Sequence, residues 1–511
     1  MIQVKELKKN KFKGKNILVV GLARSGTGAA NLLAELGARV SITDKKSPDM
    51  LEEQKKQLLP AVKFIEEDKA GGIIDSQDMI VISPGVPLYV PLLVKANIKG
   101  IPVIGELELA YQVVQGSGIR GQGSVKDGSF PRLTPNPQSP TPFIGITGTN
   151  GKSTTTTLVD LMLKEAGFKT LLAGNIGNAL TEELLNTVSG QRLMDINEEV
   201  STPDFIVVEI SSFQLETIEE FRPNIAAILN LTPDHLDRYD SMKDYADAKA
   251  RIVENQTPED YLVLNADDPE IMKVVSDKLK VKSEKPKIIY FSRVFEVEGA
   301  YLKDGLIHFN LPEFNNQSSS FILHPSSFKI KGAHNIENAM AASLMALVSG
   351  CSPDAVRNVL KNFPGLEHRV EFVDDINGVR FINDSKGTNV GAVAKSLADF
   401  ENIILIMGGL DKGGDFSLLA DLIKSKVKLL ILIGAAADKI AEALGSFTET
   451  HRVTGLEEAV ALSMSKASSG DIVMLSPGCA SFDMFKDFED RGRRFKETVK
   501  AFKNKNTGKT K

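Results

Sequence analysis

The stretch that most constrains the fold is 143–167, where an apolar run, a glycine-containing loop and a helical run follow one another. FIGIT predicts a buried β-strand, GTNG a turn and KSTTTTLVDLMLKEAG a helix. Gly151-Lys152-Ser153 ends the loop as a phosphate-binding loop ends, although Ile146 stands where the strict pattern has glycine. Backbone N–H groups at such a turn can wrap a phosphate, and the helix dipole favours the anion. We interpret the loop as a phosphate site, with a purely steric turn as the alternative.

The chain alternates apolar strands and helical segments in three stretches. The predicted strands include NILVVG, RVSITD and DMIVISPGV in the first stretch, FIGIT, FIVVEI, IAAILN and YLVLNA in the second, and RFINDS, NIILIMGG, KLLILIG and DIVMLSPG in the third. This alternation favours parallel sheets with helical crossovers. We predict an α/β protein of three domains: Rossmann-like at 1–114, a central ATPase domain of the P-loop type at 143–366, and Rossmann-like at 367–511.

Two polar segments interrupt this pattern. Residues 115–142 contain five Gly and five Pro among polar residues, a composition that predicts a flexible linker because it buries little apolar surface. The polar stretch 187–203 predicts a surface insertion in the second domain.

Composition excludes several classes of protein. The net charge of −5 argues against a general nucleic-acid surface, so the positive charge for an anionic ligand must be local. Two cysteines, Cys351 and Cys479, exclude a disulfide framework and fit a reducing compartment. The N-terminus has no apolar signal core, and the apolar runs are too short to span a bilayer. We expect a cytoplasmic protein that binds neither nucleic acid nor membranes.

Five polar residues of the second domain are candidates for chemistry. Lys152 can neutralise phosphate charge, and the Ser153 hydroxyl suits Mg²⁺. Glu209 ends the strand FIVVE, where such folds hold a metal beside the phosphate loop. His235 follows the strand IAAILN toward the same rim, and Lys249 lies in a helical stretch. Each has a structural alternative, since many strands end in Glu, a lone His is more often structural, and a helical lysine is usually solvated.

The first and third domains offer weaker signals. GLARSGTG is close to a dinucleotide fingerprint, with Ala23 in place of the middle Gly. Gly21 and Gly26 can make the tight turn, and Asp44 can accept from a ribose hydroxyl, which favours a nucleotide diphosphate without indicating NAD. NDSKGTN and GGLDKGGDF each place a lysine at the carboxyl edge of a sheet, with a polar loop as the alternative.

A set of longer strings carries a resemblance. GTNGKST, EISSFQLE, NLTPDHLDRY, KGAHNIENAMAA, GLEHRVEFV and NDSKGTN occur in one order at domain-scale spacing. This set resembles the Mur ligases, the ATP-dependent amino-acid ligases of peptidoglycan precursor synthesis, over nearly the whole chain. SSFQLE, DHLDRY and SPGCASFDMFKDFEDRG are similar to the branch that adds D-glutamate. The long linker departs from the family's short connection, and Arg24 stands where the family often has an apolar residue.

The resemblance implies UDP-N-acetylmuramoyl-L-alanine, D-glutamate and ATP as substrates, in a protein that we expect to be a monomer. It implies two Mg²⁺ sites, one held by Ser153 and Glu209 and the other by His235 and a carbamylated Lys249, with Lys152, His235 and Lys249 as catalytic residues. The implied ATP contacts are Gly148, Thr149, Asn150, Gly151, Lys152, Ser153, Thr154, Asn335, Asn338, Arg369 and Asp384. The implied UDP-sugar contacts are Ser25, Asp44 and Asn175. The implied D-glutamate contacts are Lys386, Thr388, Lys412, Ser481 and Phe488.

The implied reaction needs no side-chain nucleophile. The substrate carboxylate attacks the γ-phosphate to give an acyl phosphate, which the amine of D-glutamate then attacks, while the protein supplies positioning and charge neutralisation. One alternative is folylpolyglutamate synthase or another Mur ligase; SSFQLE and the nucleotide-type first domain argue against the folate enzyme. A P-loop kinase would phosphorylate a small molecule without an amino acceptor. A non-catalytic UDP-sugar-binding protein would release no ADP, and the set Lys152, Glu209, His235 and Lys249 argues against it.

Overall fold

The structure, a computed structural model, describes residues 10–117, 140–175, 178–188, 202–234, 238–311, 321–411 and 413–507. His235, Lys412, most of the predicted linker and most of the predicted insertion lie outside these residues. The chain divides into two compact units, 1–363 and 364–511. The first unit contains two sheets and the second contains one, and the α/β prediction is confirmed in each.

The N-terminal sheet has five parallel strands in the order β3-β2-β1-β4-β5. The strand order reverses between β1 and β4, and open α/β sheets bind ligands at the carboxyl ends of strands at such a point. Its elements are β1 (Asn16–Val20), α1 (Arg24–Glu35), β2 (Arg39–Thr43), α2 (Glu52–Lys55), β3 (Lys63–Phe64), α3 (Glu67–Ile73), β4 (Met79–Ile82), α4 (Pro91–Ile98), β5 (Val103–Gly105) and α5 (Glu106–Ser117).

The middle sheet has nine strands in the order β14-β13-β12-β11-β10-β9-β6-β8-β7. Strands β6 to β12 pair in parallel, and β13 and β14 extend the sheet as antiparallel strands that the sequence did not predict. Its elements are β6 (Phe143–Thr147), α6 (Lys152–Glu165), β7 (Thr170–Gly174), α7 (Leu180–Val188), β8 (Phe205–Glu209), α8 (Ser212–Leu215), β9 (Ile225–Ile228), α9 (Met242–Ala250), β10 (Tyr261–Asn265), α10 (Pro269–Lys280), β11 (Lys287–Ser292), β12 (Gly299–Lys303), β13 (Leu306–Asn310), β14 (Ile322–Leu323), α11 (Ala333–Val348) and α12 (Pro353–Asn362).

The sheet of the second unit has six strands in the order β15-β16-β20-β17-β18-β19, parallel except for β15. Its strands β16, β17, β18 and β20 are the four that the sequence predicts. The elements are β15 (Glu371–Ile376), β16 (Val379–Asn383), α13 (Val390–Ala398), β17 (Ile403–Gly408), α14 (Ala420–Lys426), β18 (Val427–Ile433), α15 (Ala437–Leu444), β19 (Glu449–Arg452), α16 (Leu456–Lys466), β20 (Ile472–Leu475) and α17 (Phe488–Thr507).

The N-terminal and middle sheets share one hydrophobic core, in which α5 is the connecting element. Tyr111 of α5 packs edge-to-face on Phe143 of β6 and on Phe221, with ring centroids 5.4 and 5.5 Å apart. Helix α5 also continues through residues 115 to 117, where the sequence predicts the start of the linker. Among the described residues no helix is both long and apolar enough to cross a bilayer.

Two buried carboxylates of α5 fasten the two sheets together. One oxygen of Glu106 accepts from the backbone N–H and the hydroxyl of Thr181 at 2.8 and 3.0 Å. Glu108 accepts from three successive backbone N–H groups at 219–221, at 2.9 to 3.1 Å. Both side chains are almost fully buried, and burial raises the pKa of Glu106. Because these bonds satisfy backbone donors of the middle domain, α5 sets where the N-terminal sheet lies.

We expect that replacing 118–139 with a short Gly/Ser connection will change the unfolding temperature by less than about 5 °C. The reason is that the contacts between α5 and the middle domain are made by residues outside this segment. Thermal unfolding followed by circular dichroism measures the change. Glu108→Ala is the matched control, because it leaves three backbone N–H groups, that of the buried Phe221 among them, without their acceptor and should lower stability by about 2 kcal/mol or more. A larger loss from the shortened chain than from Glu108→Ala would show that the segment packs on a domain.

Candidate active site

The predicted phosphate loop joins β6 to α6, at the centre of the middle sheet. Gly148 and Gly151 have φ of +145° and +83°, which favour glycine. Asn230, two residues after the end of β9, holds the loop: its carbonyl accepts from Thr149 N–H at 2.9 Å and its side-chain oxygen accepts from Asn150 N–H at 2.8 Å. Sequence reasoning did not single out Asn230, although it lies in the string NLTPDHLDRY.

Thr149 is a second anchor of the loop. Its hydroxyl accepts from Thr232 N–H at 3.0 Å and donates to Thr232 O at 3.1 Å. A hydroxyl has one proton to donate, so the Tyr245 hydroxyl, 3.1 Å away, must donate to Thr149. Tyr245 lies on α9 and is buried, and burial raises the pKa of its phenol. The phosphate loop is therefore tied to α9, the helix that carries Lys249.

The structure brings Lys152 and Lys249 together at the phosphate loop. Lys152 Nζ donates to the carbonyls of Gly148 and Thr149 at 2.9 and 2.8 Å. Lys249 Nζ donates to the same Gly148 carbonyl at 2.9 Å and lies 4.7 Å from the centre of the Tyr245 ring. Lys249 is 2% exposed, so the solvated alternative is wrong. Burial, and then the charge of Lys152, holds the pKa of Lys249 well below its ordinary value, against the opposing charges of Asp234 and Glu209.

Glu209 ends β8, where it pairs with Ile146 of β6 beside the phosphate loop. Its Oε1 accepts from Asn175 Nδ2 at 3.0 Å. Its Oε2 is buried and has no hydrogen-bond partner among the described residues. A buried carboxylate oxygen without a donor is costly unless a cation meets it, and oxygen donors are the ligands that Mg²⁺ prefers. Glu209, together with the Ser153 hydroxyl in the first turn of α6, therefore fits Mg²⁺.

Within the described ranges, no group of three or more His, Cys, Asp and Glu side chains lies close enough together to hold a metal ion. Of the predicted metal ligands, Glu209 is the one His, Cys, Asp or Glu within the described ranges, because His235 lies outside them. Ser153 and Thr154 are both buried at the start of α6.

Asn335 and Asn338 lie on α11, and Asn338 touches the phosphate loop. A Cβ atom at Gly151 would lie 2.2 Å from Asn338 Oδ1, so only glycine fits there. Asn338 Oδ1 also accepts from the Thr155 hydroxyl at 3.4 Å, and Asn338 Nδ2 donates to Asn335 Oδ1 at 3.2 Å. These contacts place both asparagines beside the start of α6.

In the N-terminal domain the predicted nucleotide loop joins β1 to α1. A Cβ atom at Gly26 would lie 1.8 Å from the Gly21 carbonyl oxygen, which explains glycine at the turn. Asp44, after β2, accepts from Leu22 N–H at 2.7 Å, and Ser25 lies half-buried in the first turn of α1. Ser25 and Asp44 thus lie at one edge of this sheet, whereas Asn175 lies at Glu209 in the middle domain.

In the second unit, Lys386 and Phe488 are brought together. Lys386 Nζ lies 5.2 Å from the centre of the Phe488 ring, at the start of α17. Thr388 follows in the same loop, half-buried, and Ser481 is buried after β20. The N–H of Val370, the residue after Arg369, donates to Asp384 Oδ1 at 3.3 Å, so these two predicted ATP contacts lie near each other along the fold.

Arg491 is a residue that sequence reasoning missed. It is fully buried and donates to the backbone and hydroxyl of Ser385, at 2.8 and 2.9 Å, and to Cys479 O at 3.2 Å. Burial lowers the pKa of its guanidinium to about 10. Arg491 therefore joins the loop of Lys386 to the loop of Ser481. Its only sequence signal is its place in the string FEDRG.

Asp384 is buried after β16, and its Oδ2 accepts from the hydroxyls of Ser396 and Ser476 at 2.7 and 2.6 Å. Burial raises the pKa of this carboxyl to about 6, against the lowering effect of those bonds and of Arg369. Below about pH 3 the carboxyl is protonated in the folded and unfolded states alike. As the pH rises to 6 the folded state holds a proton that the unfolded state has lost, so stability falls.

We expect Asp384→Asn to remove the loss of folding stability that accompanies ionisation of this carboxyl as the pH rises. Between pH 5 and 7.5 the free energy of unfolding of the variant, relative to wild type, should rise by about 1–2 kcal/mol. Urea unfolding at the two pH values measures the change, and any cost of the amide that does not depend on pH cancels. The exposed Asp421→Asn is the control and should show no such change. An equal pH dependence in Asp384→Asn and wild type would contradict the expectation.

Three protein-family models match the chain in the order of its three sheets. The Mur ligase MurD-like N-terminal domain matches residues 15–105, the Mur ligase middle domain matches 146–346, and the Mur ligase glutamate ligase domain matches 368–479.

Curated relatives match nearly the whole chain. UDP-N-acetylmuramoylalanine–D-glutamate ligase of Geotalea daltonii is 43% identical over 495 residues, which cover 96% of this chain and 98% of that protein. The protein of the same name from Thermoanaerobacter sp. is 42% identical and covers 96% of this chain and 98% of its own length.

Solved structures share the fold at low identity. UDP-N-acetylmuramate-alanine ligase from Thermotoga maritima aligns with a TM-score of 0.55 at 18% identity, over 96% of this chain and 100% of that chain. MurF from Acinetobacter baumannii aligns with a TM-score of 0.55 at 17% identity, over 97% of this chain and 98% of that chain.

Proposed function

The chain belongs to the Mur ligase family, and on that premise we propose that it joins D-glutamate to UDP-N-acetylmuramoyl-L-alanine with ATP, in the cytoplasmic synthesis of the peptidoglycan precursor. The observation that carries the proposal is the meeting of Lys152, Lys249 and Glu209 at the phosphate loop of a chain 43% identical to a D-glutamate ligase. The enzyme is an ATP-dependent acid–amino-acid ligase that works as a monomer.

The phosphate loop binds ATP. The N–H groups at 148–154 surround the β- and γ-phosphates, and Lys152 moves from its loop carbonyls to the phosphate oxygens. Asn335 and Asn338, which lie beside the start of α6, contact the adenine side, as in the family that the chain resembles. Arg369 reaches the phosphates and Asp384 the ribose.

Mg²⁺ neutralises phosphate charge when it is bound. Ser153 and Glu209 would hold one ion, and Glu209 Oε2, which has no hydrogen-bond partner among the described residues, supports this assignment. His235 and Lys249 serve the second, with Lys249 as a carbamate. The neutral amine of Lys249 attacks CO₂, an N–C bond forms and a proton leaves, which turns a cation into an anionic oxygen ligand. The lowered pKa of Lys249 favours this reaction because it raises the neutral fraction of the amine.

The UDP-sugar binds at the edge of the N-terminal sheet and at Asn175 of the middle domain, and D-glutamate binds at the edge of the sheet in the second unit. Ser25, Asp44 and Asn175 contact the UDP-sugar. A carboxylate oxygen of its alanine attacks the γ-phosphorus, and the bond from that phosphorus to the ADP oxygen breaks. The amine of D-glutamate attacks the acyl carbon, phosphate leaves with the bridging oxygen, and the amine proton passes to phosphate or water. The D-glutamate pocket comprises Lys386, Thr388, Lys412, Ser481 and Phe488.

The test is ADP release with UDP-N-acetylmuramoyl-L-alanine, screened over amino acids. We expect release that depends on D-glutamate, because a lysine- and hydroxyl-lined pocket suits a dicarboxylic amino acid. Equal turnover with L-lysine or meso-diaminopimelate would assign the chain to another ligase of the family. ADP release with no amino acceptor and a stable phosphorylated product would favour a kinase, and binding without ADP release would favour a UDP-sugar-binding protein.

A further inference from the structure

The proposed substrate contacts use no residue of the string SSFQLE, yet its Phe213 and Glu216 pack against the side chain of Arg238. Its guanidinium stacks on Phe213, 4.1 Å from the ring centre, and donates to Glu216 Oε2 at 2.6 Å. Tyr239 OH donates to the other oxygen of Glu216 at 2.5 Å. The Arg238 and Glu216 side chains are only 16% and 15% exposed, so this pair is more strongly ordered than a surface ion pair.

A third contact of Arg238 leaves the middle domain. Its Nη1 donates to the carbonyl of Pro84 at 3.4 Å. Pro84 follows β4, the strand beside β1 at the reversal of strand order in the N-terminal sheet. The neighbouring Ser83 hydroxyl donates to Gly21 O at 2.9 Å, at the start of the predicted nucleotide loop. Arg238 is thus linked through Pro84 and the adjacent Ser83 to the loop proposed to bind the UDP-sugar.

The segment that carries Arg238 also reaches the phosphate loop. Thr232, six positions earlier, binds the Thr149 hydroxyl through its N–H and its carbonyl. Asn230, two positions before that, binds Asn150. One connection, from β9 to α9, therefore touches the phosphate loop near its start and the N-terminal domain near its end.

We propose that Arg238 is a positioning residue, which sets the nucleotide loop of the N-terminal domain relative to the phosphate loop so that the substrate carboxylate meets the γ-phosphate. This inference rests on the proposed function. In-line transfer depends steeply on placement, and a shift of about 1 Å can cost about a hundredfold in rate. Lysine cannot replace arginine here, because only the planar guanidinium stacks on a ring and donates in two directions at once.

The test compares Arg238→Lys with wild type in kcat, in the KM values for ATP and for the UDP-sugar, in UDP-sugar binding without ATP, and in unfolding temperature. We expect kcat to fall about tenfold, since placement is lost while each substrate keeps its own binding residues. Both KM values and the UDP-sugar Kd should stay within about twofold of wild type. Glu216→Gln, which removes the carboxylate charge that holds the guanidinium but leaves an amide oxygen, should lower kcat in the same way but less.

Arg222→Lys is the matched control. Arg222 donates to the two carboxylate oxygens of Asp260 at 2.7 and 3.2 Å. Arg222 precedes β9 and Asp260 precedes β10, so the pair lies at the edge of the middle sheet opposite the phosphate loop. The Arg222→Lys variant should lower the unfolding temperature at least as much as Arg238→Lys and leave kcat unchanged. A UDP-sugar Kd raised in Arg238→Lys would assign a direct substrate contact instead and overturn the inference. An unchanged kcat would also overturn it, whereas a wild type without ligase activity would refute the proposed function itself.

Discussion

Lys249→Arg is expected to lower ligase turnover by about a hundredfold to a thousandfold while the protein stays folded, a loss of the size seen when one transition-state contact is removed. Lys249 is buried against the phosphate loop, where its amine donates to Gly148 O. Arginine keeps the positive charge but cannot form a carbamate, so it places a cation where the proposal needs an anionic ligand of Mg²⁺. ADP release with both substrates present measures turnover, and circular dichroism checks the fold.

Two companion variants separate the carbamate from other roles of the side chain. Lys249→Ala should be as inactive as Lys249→Arg, and added acetate should restore part of its activity by occupying the vacated ligand position. Lys243→Arg is the control on the same helix, because Lys243 is exposed and pairs only with Asp247 among the described residues. It should retain full turnover. Near-normal turnover by Lys249→Arg would contradict the carbamate proposal.

Lys152→Gln is expected to lower turnover by about a thousandfold, with a smaller effect on UDP-sugar binding. The lysine amine lies within 3 Å of two carbonyls of the phosphate loop. From there it can neutralise the negative charge of the γ-phosphate during transfer. Glutamine keeps hydrogen-bonding capacity and most of the length but removes the charge. Single-turnover measurement of ADP formation isolates the transfer step from product release.

The control for Lys152→Gln lies on the same helix. Lys164 is about half exposed and pairs with Asp160 at 2.8 Å, near the far end of α6. Lys164→Gln should retain turnover, because Lys164 lies away from the phosphate loop, and the buried Asp160 keeps its hydrogen bond from the Thr170 hydroxyl. If the two variants were equally active, Lys152 would not act on the phosphates.

The phosphate loop could be predicted from sequence because its signal is local. Gly151, Lys152 and Ser153 stand between an apolar strand and a helix, and this order alone predicts the turn and its anion preference. The three sheets could be predicted for a similar reason, since strands buried on both faces are nearly continuous apolar runs. The antiparallel strands β13 and β14 were missed because LIHFN and IL are short and carry no strong alternation.

The surroundings of the site could not be predicted, because they depend on contacts between distant parts of the chain. Nothing in DYADAKA distinguishes a buried Lys249 from a solvated one; its burial results from packing of α9 against the phosphate loop. The same holds for Glu106 and Glu108, whose spacing on α5 resembles an ordinary charged helix start. Their backbone partners at 181 and 219–221 come close only in the folded protein.

The most direct test of the account follows an oxygen atom. UDP-N-acetylmuramoyl-L-alanine labelled with ¹⁸O in its carboxylate is turned over with ATP and D-glutamate, and the inorganic phosphate is analysed by mass spectrometry. An acyl phosphate predicts one ¹⁸O in each phosphate released, because the bridging oxygen leaves with phosphorus when the amine attacks the carbonyl carbon. Unlabelled phosphate, or label in AMP, would contradict ligation through an acyl phosphate.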